Sequence, residues 1–77
     1  MNERILVVDD EKAIADLVGI YLTKEGFDVQ VAYSGADAAK AILEQEFDLL
    51  LKTVGVSPDL SQLLALEILQ QFEGSNT

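Results

Sequence analysis

The sequence contains no cysteine and no histidine. Without cysteine it can build neither a disulfide framework nor a thiolate metal site. Without histidine it has no imidazole for acid–base catalysis or metal ligation. Basic residues are scarce, with five Lys and Arg against fourteen Asp and Glu and a formal net charge of -9. A nucleic-acid binder needs a basic patch, so that class is excluded; acidity of this kind is chiefly a solubility feature. No apolar run approaches the roughly 20 residues of a membrane span, and the acids after Val8 cut short the N-terminal run before it reaches signal-peptide length. The expectation is a cytoplasmic protein that contacts neither membrane nor nucleic acid. The apolar share of 49% is too high for a disordered acidic tail. Seventy-seven residues allow one domain, 1–77, with a small core. A chain of that size buries only about 60% of its unfolded surface and often needs a partner.

What is present is organised around Arg4-Ile5-Leu6-Val7-Val8-Asp9-Asp10-Glu11. A short, wholly apolar run of β-favouring residues reads as a strand buried on both faces, as in a parallel sheet between helix layers. Ligands in such sheets bind at the carboxyl ends of the strands, so Asp9 and Asp10 fall where chemistry is expected. Either acid can cap the helix that follows, and Glu11 reads as a dipole partner in its first turn.

That helix carries Ala13, Ile14, Leu17, Val18, Tyr21 and Leu22 on one broad face, with Asp16, Thr23 and Lys24 outside it. Gly26 stops it as a left-handed residue. Phe27 to Tyr33 reads as a second strand. Ser34-Gly35-Ala36-Asp37 has the form of a capping box and opens an alanine-rich helix to about Gln45. Phe47 to Val54 reads as a third strand, and Gly55 to Ser57 as a turn. Ser57-Pro58-Asp59 starts a third helix, which Gly74 ends, and Ser75-Asn76-Thr77 should fray. The order βαβαβα implies an α/β fold with a parallel sheet and right-handed crossovers.

The series Ile5-Leu6-Val7-Val8-Asp9-Asp10-Glu11, Ile14-Ala15-Asp16-Leu17, Tyr21-Leu22, Glu25-Gly26-Phe27-Asp28-Val29, Ala32-Tyr33-Ser34-Gly35 and Phe47-Asp48-Leu49-Leu50-Leu51 closely resembles the receiver domain of two-component response regulators. The receiver-like part is residues 4 to about 51; residues 52–77 diverge as a strand end, turn and third helix. The resemblance implies a flavodoxin-like sheet, here truncated to three strands in order 2-1-3 with helices on both faces and completed by dimerisation. It also implies Mg2+ held by the paired acids, and a phosphoryl group passed from a histidine kinase to an aspartate at the end of the third strand. That position falls on Thr53. The family's fourth and fifth strands, with their hydroxyl and lysine, have no counterpart here.

Phosphoryl transfer needs a nucleophile, a metal ion and stabilisation of the transferred charge. Thr53 is a weak nucleophile without a base and reads as a β-branched strand residue. Asp48 lies about 16 Å away along the strand at 3.3 Å per residue. Asp9 and Asp10 are either an inherited helix cap or a weak Mg2+ site, and no cofactor is required. The third strand becomes an edge, where Lys52 guards against uncontrolled pairing. In the third helix Leu60, Leu64, Ala65, Ile68, Leu69 and Phe72 span half the circumference, while Leu63 and Leu66 project from the other half. A helix apolar on most sides is buried by more than one neighbour.

The leading expectation is a non-enzymatic receiver-like module that cannot accept phosphate and acts by self-association or protein binding. It would be a truncated natural regulator or a recombined or engineered fragment. A homodimer would form through Lys52, Val54, Leu60, Leu63, Leu64, Leu66, Ile68, Leu69 and Phe72, by edge-strand pairing, helix packing or exchange of elements. The rival expectations are a phosphoaccepting receiver with an atypical site, and a module that binds a kinase or a full-length receiver.

Overall fold

The computed structural model describes residues 3–74. The elements run β1 Arg4–Val8, α1 Lys12–Lys24, β2 Asp28–Ala32, α2 Gly35–Glu44, β3 Leu49–Lys52, a 3-10 turn Pro58–Leu60 and α3 Ser61–Gly74. The strands form one parallel sheet in the order β2-β1-β3. Val8 stands beside Ala32 on one side and Lys52 on the other, so all three strands end together. Ser75-Asn76-Thr77, read as a fraying end, lie outside the described residues.

The placement of the first two helices follows from handedness. The chain steps outward from β1 to β2, then back across β1 to β3. Two right-handed crossovers in opposite directions put α1 and α2 on opposite faces. Ile5 and Val7 pack with Ile14, Ala15, Val18 and Leu22 of α1. Leu6 and Val8 pack with Ala38 and Ala41 of α2. β1 is thus buried on both faces, as its unbroken apolar run requires.

Local signals set the boundaries. Gly26 adopts φ +96° just past α1, a conformation that favours glycine. The Ser34 side chain accepts a hydrogen bond from the Asp37 N–H at 3.1 Å and caps α2. A Cβ at Gly19 would lie 3.1 Å from a Val31 methyl, so glycine there lets α1 sit close against β2.

Several expectations need correction. β2 and β3 are shorter than the sequence suggested, because Phe27 and Phe47 pack just outside them and the chain turns at Val54 and Gly55. α1 begins after Glu11, which is the N-cap and not a first-turn residue; its own side chain makes no cap bond, while the Asp9 carboxylate accepts the Glu11 N–H. Ala13 is exposed. The stretch Ser57-Pro58-Asp59 opens a 3-10 turn before α3 begins at Ser61, whose hydroxyl donates to the Ser57 carbonyl. In that tighter turn the side chain of Ser57 caps nothing.

α3 lies beside α1 on the same face of the sheet. Ala65 and Ile68 are buried there, and Leu64, Leu69 and Phe72 pack around them, with the Phe72 ring 5.4 Å from that of Phe27. Ile68, Leu64, Leu69 and Phe72 were assigned above to an interface between copies. Ile68 is buried within the protomer, and the other three spend much of their surface there, because one helix cannot cover this face alone. Lys52, Val54, Leu60, Leu63 and Leu66 are exposed.

Candidate functional site

The site lies where β1 and β3 end together. Asp9 follows the last residue of β1, and Thr53 follows the last residue of β3. Both are drawn in by backbone bonds that extend the sheet by one residue. The Asp9 N–H donates to the Ala32 carbonyl at 3.2 Å and the Thr53 N–H to the Val8 carbonyl at 3.1 Å. Their side chains then meet. The Thr53 hydroxyl donates to Asp9 Oδ2 at 2.7 Å, across 44 positions of sequence. Asp9 Oδ1 accepts the Glu11 N–H at 2.8 Å.

Both side chains are buried, Asp9 at 2% exposure and Thr53 at 0%. Burial alone raises a carboxyl pKa, because it disfavours the charged form. Here the Glu11 N–H, the Thr53 hydroxyl and a contact with Asp10 outweigh it, and the Asp9 carboxyl sits below the usual aspartate value. Asp9 is therefore held as a buried anion by a backbone and a side-chain donor. Asp10, next in the chain, is exposed.

A carboxylate-held Mg2+ needs oxygens free to face it. Asp9 is buried, with a protein hydrogen bond on each oxygen, so Asp10 is the acid beside it that faces solvent. Among the described residues no group of three or more His, Cys, Asp or Glu side chains gathers at one point. This donor set does not fit a tightly held ion.

Asp48 stands at the other end of the sheet, where its carboxylate accepts the Arg4 N–H at 2.7 Å. A cleft of about 660 Å³ opens at that end, lined by Arg4, Ile42, Phe47, Asp48 and Leu50 among others. It lies at the opposite end of the sheet from Asp9 and Asp10.

Sequence reasoning placed Asp9, Asp10 and Thr53 at neighbouring strand ends. It did not find the Asp9–Thr53 hydrogen bond. The available signal was a hydroxyl two residues past a leucine run, just after the strand end, a position where burial demands a partner.

No helix among the described residues is long and apolar enough to cross a membrane. No solved structure matches this chain. Residues 5–73 match the family model of the response regulator receiver domain, so the likeness continues past residue 51 into α3. Members of that family are signalling modules that work with histidine kinases and bind Mg2+ at the phosphorylation site. With the first-strand acids in place and almost the whole chain matched, the protein belongs to the response regulator receiver domain family.

Proposed function

We propose that this chain is a receiver module that does not accept phosphate, catalyses nothing, and acts by associating with itself or with another protein. The observation that carries the reading is Thr53. It occupies the position where the resemblance expects an aspartate, it is buried, and its hydroxyl is committed to Asp9. An attacking oxygen must be free to reach the phosphorus, with a base or metal to activate it. A hydroxyl with no exposed surface fails the first need, because phosphorus cannot reach it. Mg2+ is not required, and binding at Asp10 with water as the other ligands would be weak.

Partner binding is supported by the exposed apolar side chains. Val54, Leu60, Leu63 and Leu66 stand exposed beyond β3 and on α3, and Lys52 marks the open strand edge. A histidine kinase or a full-length receiver would be the partner class of a hetero-complex. Residues 1–77 would act as one cytoplasmic unit.

The experiment is incubation with acetyl phosphate and Mg2+, read by intact mass. The expected result is an unchanged mass. A stable phosphoryl adduct would overturn the reading in favour of an atypical phosphoacceptor. Sedimentation at micromolar concentration separates the two modes of association: a homodimer supports self-association, and a monomer leaves binding to another protein.

A further inference from the structure

The run Asp48-Leu49-Leu50-Leu51-Lys52 sets three leucines symmetrically about Leu50 and opposite charges at its two ends. It forms or borders β3, which pairs only with β1 among the described residues and leaves its other edge open. We propose that two copies of the chain join antiparallel through these edges, with Leu50 on the twofold axis. Asp48 of each copy then faces the partner's Lys52. The proposal rests on the self-association reading above and gives it a register.

Geometry restricts the choices. Residues directly opposite each other in an antiparallel pair share a face of the sheet. A twofold axis perpendicular to the sheet must therefore pass through a residue of β3 and not between two. With the axis at Leu49, Asp48 stands against the partner's Leu50. With the axis at Leu51, Lys52 stands against the partner's Leu50. Only the axis at Leu50 sets leucine on leucine and acid on base throughout. Leu49 then meets the partner's Leu51 on the other face. Parallel pairing in register would oppose Lys52 to the partner's Lys52, which is unfavourable. The antiparallel joint is self-complementary and closes at two copies.

The side chains of the seam are exposed. Leu50 is 46% exposed and Ile42, which lines the cleft beside it, is 52% exposed. α2 lies over β1 and β2 and leaves this part of the sheet bare. A six-stranded sheet would bring the two Leu50 side chains together between the flanking Ile42 residues. Asp48 already accepts the Arg4 N–H through one oxygen, and a carboxylate has further acceptor sites for an ammonium group.

The test is sedimentation equilibrium of the 77-residue chain and of Asp48→Lys, Lys52→Asp and the doubly exchanged variant. Each single change should weaken the dimer about ten-fold, since like charges then face each other twice. The exchange should restore it. The two single changes move the net charge in opposite directions, so a general charge effect would shift them in opposite senses. A second measurement does not depend on Asp48. The chain has no native thiol, and Leu50→Cys should cross-link to its copy on oxidation while Leu51→Cys should not. A wild-type dimer with unaffected single variants, or with cross-linking favoured at 51, would overturn the register and leave self-association standing. A wild-type monomer would overturn both.

Discussion

The two faces of the sheet are finished to different degrees. On one face α1 and α3 lie side by side, and Ile5, Val7, Val18, Leu22, Ala65 and Ile68 close into a core with Phe27 and Phe72 at its edge. On the other face α2 works alone. Its buried contacts are small, Ala38 and Ala41 against Leu6, Val8 and Ala32. Beyond them Leu50 and Ile42 are half exposed and Leu43 is 87% exposed. Two helices can cover three strands and one cannot, since helices pack 8–10 Å apart and neighbouring strands lie about 4.8 Å apart. The difference separates the molecule into a face that holds it together and a face with apolar surface to spare.

The sharpest way to break that comparison is to truncate a side chain on each face. Ile68→Ala should cost about 2–5 kcal/mol, because it opens a cavity in the closed core. Leu50→Ala should cost well under half as much in the monomeric protein. Urea unfolding of both variants at a concentration too low for association measures the gap. Equal losses would mean that the two faces contribute alike.

Thr53→Val tests the junction between the faces. The change keeps the shape and removes the hydroxyl donor to Asp9, so about 1.5–3 kcal/mol should be lost at neutral pH. The pH dependence carries the sign. Asp9 is held below its usual value in the folded protein, so its contribution is complete above about pH 4, the unfolded aspartate range. It declines as pH falls through that range toward the folded value. In Thr53→Val the decline should begin at the same pH, be smaller, and finish at higher pH, because the folded value moves up toward the unfolded one. An unchanged acid profile would show that the hydroxyl does not hold the anion.

Smaller effects sharpen the contrast further. Ser34→Ala removes the α2 cap and should cost about 1 kcal/mol in the same assay. Leu43→Gln lies on the most exposed apolar side chain of the open face and should stay within about 0.5 kcal/mol. A large loss there would mean that Leu43 is buried in the working protein by something else.

Much of the fold was legible because its signals are local. An apolar run of strand length at Ile5–Val8, a left-handed glycine at Gly26 and a serine cap at Ser34 act within a few residues. They fixed the element order, and the right-handed rule then gave helices on both faces. Strand ends were less legible. Phe27 and Phe47 look like strand residues by propensity, yet they pack at the corners of the two cores. The acids of the site were legible from their place after a buried strand, but their chemical state was not. Asp9 is buried and bonded while Asp10 is exposed, a division that adjacent identical residues cannot display in sequence.

The sequence by itself determined that this is a small, acidic, parallel α/β chain with its carboxylates at a strand end, because hydrophobic period and caps depend only on near neighbours. Only the tertiary structure decided that α3 lies beside α1, that Ile68 is buried in the core of the single chain, and that Thr53 closes over Asp9. Those outcomes join residues far apart in the chain. They are settled by which surfaces fit together to exclude water, and no local pattern records that fit.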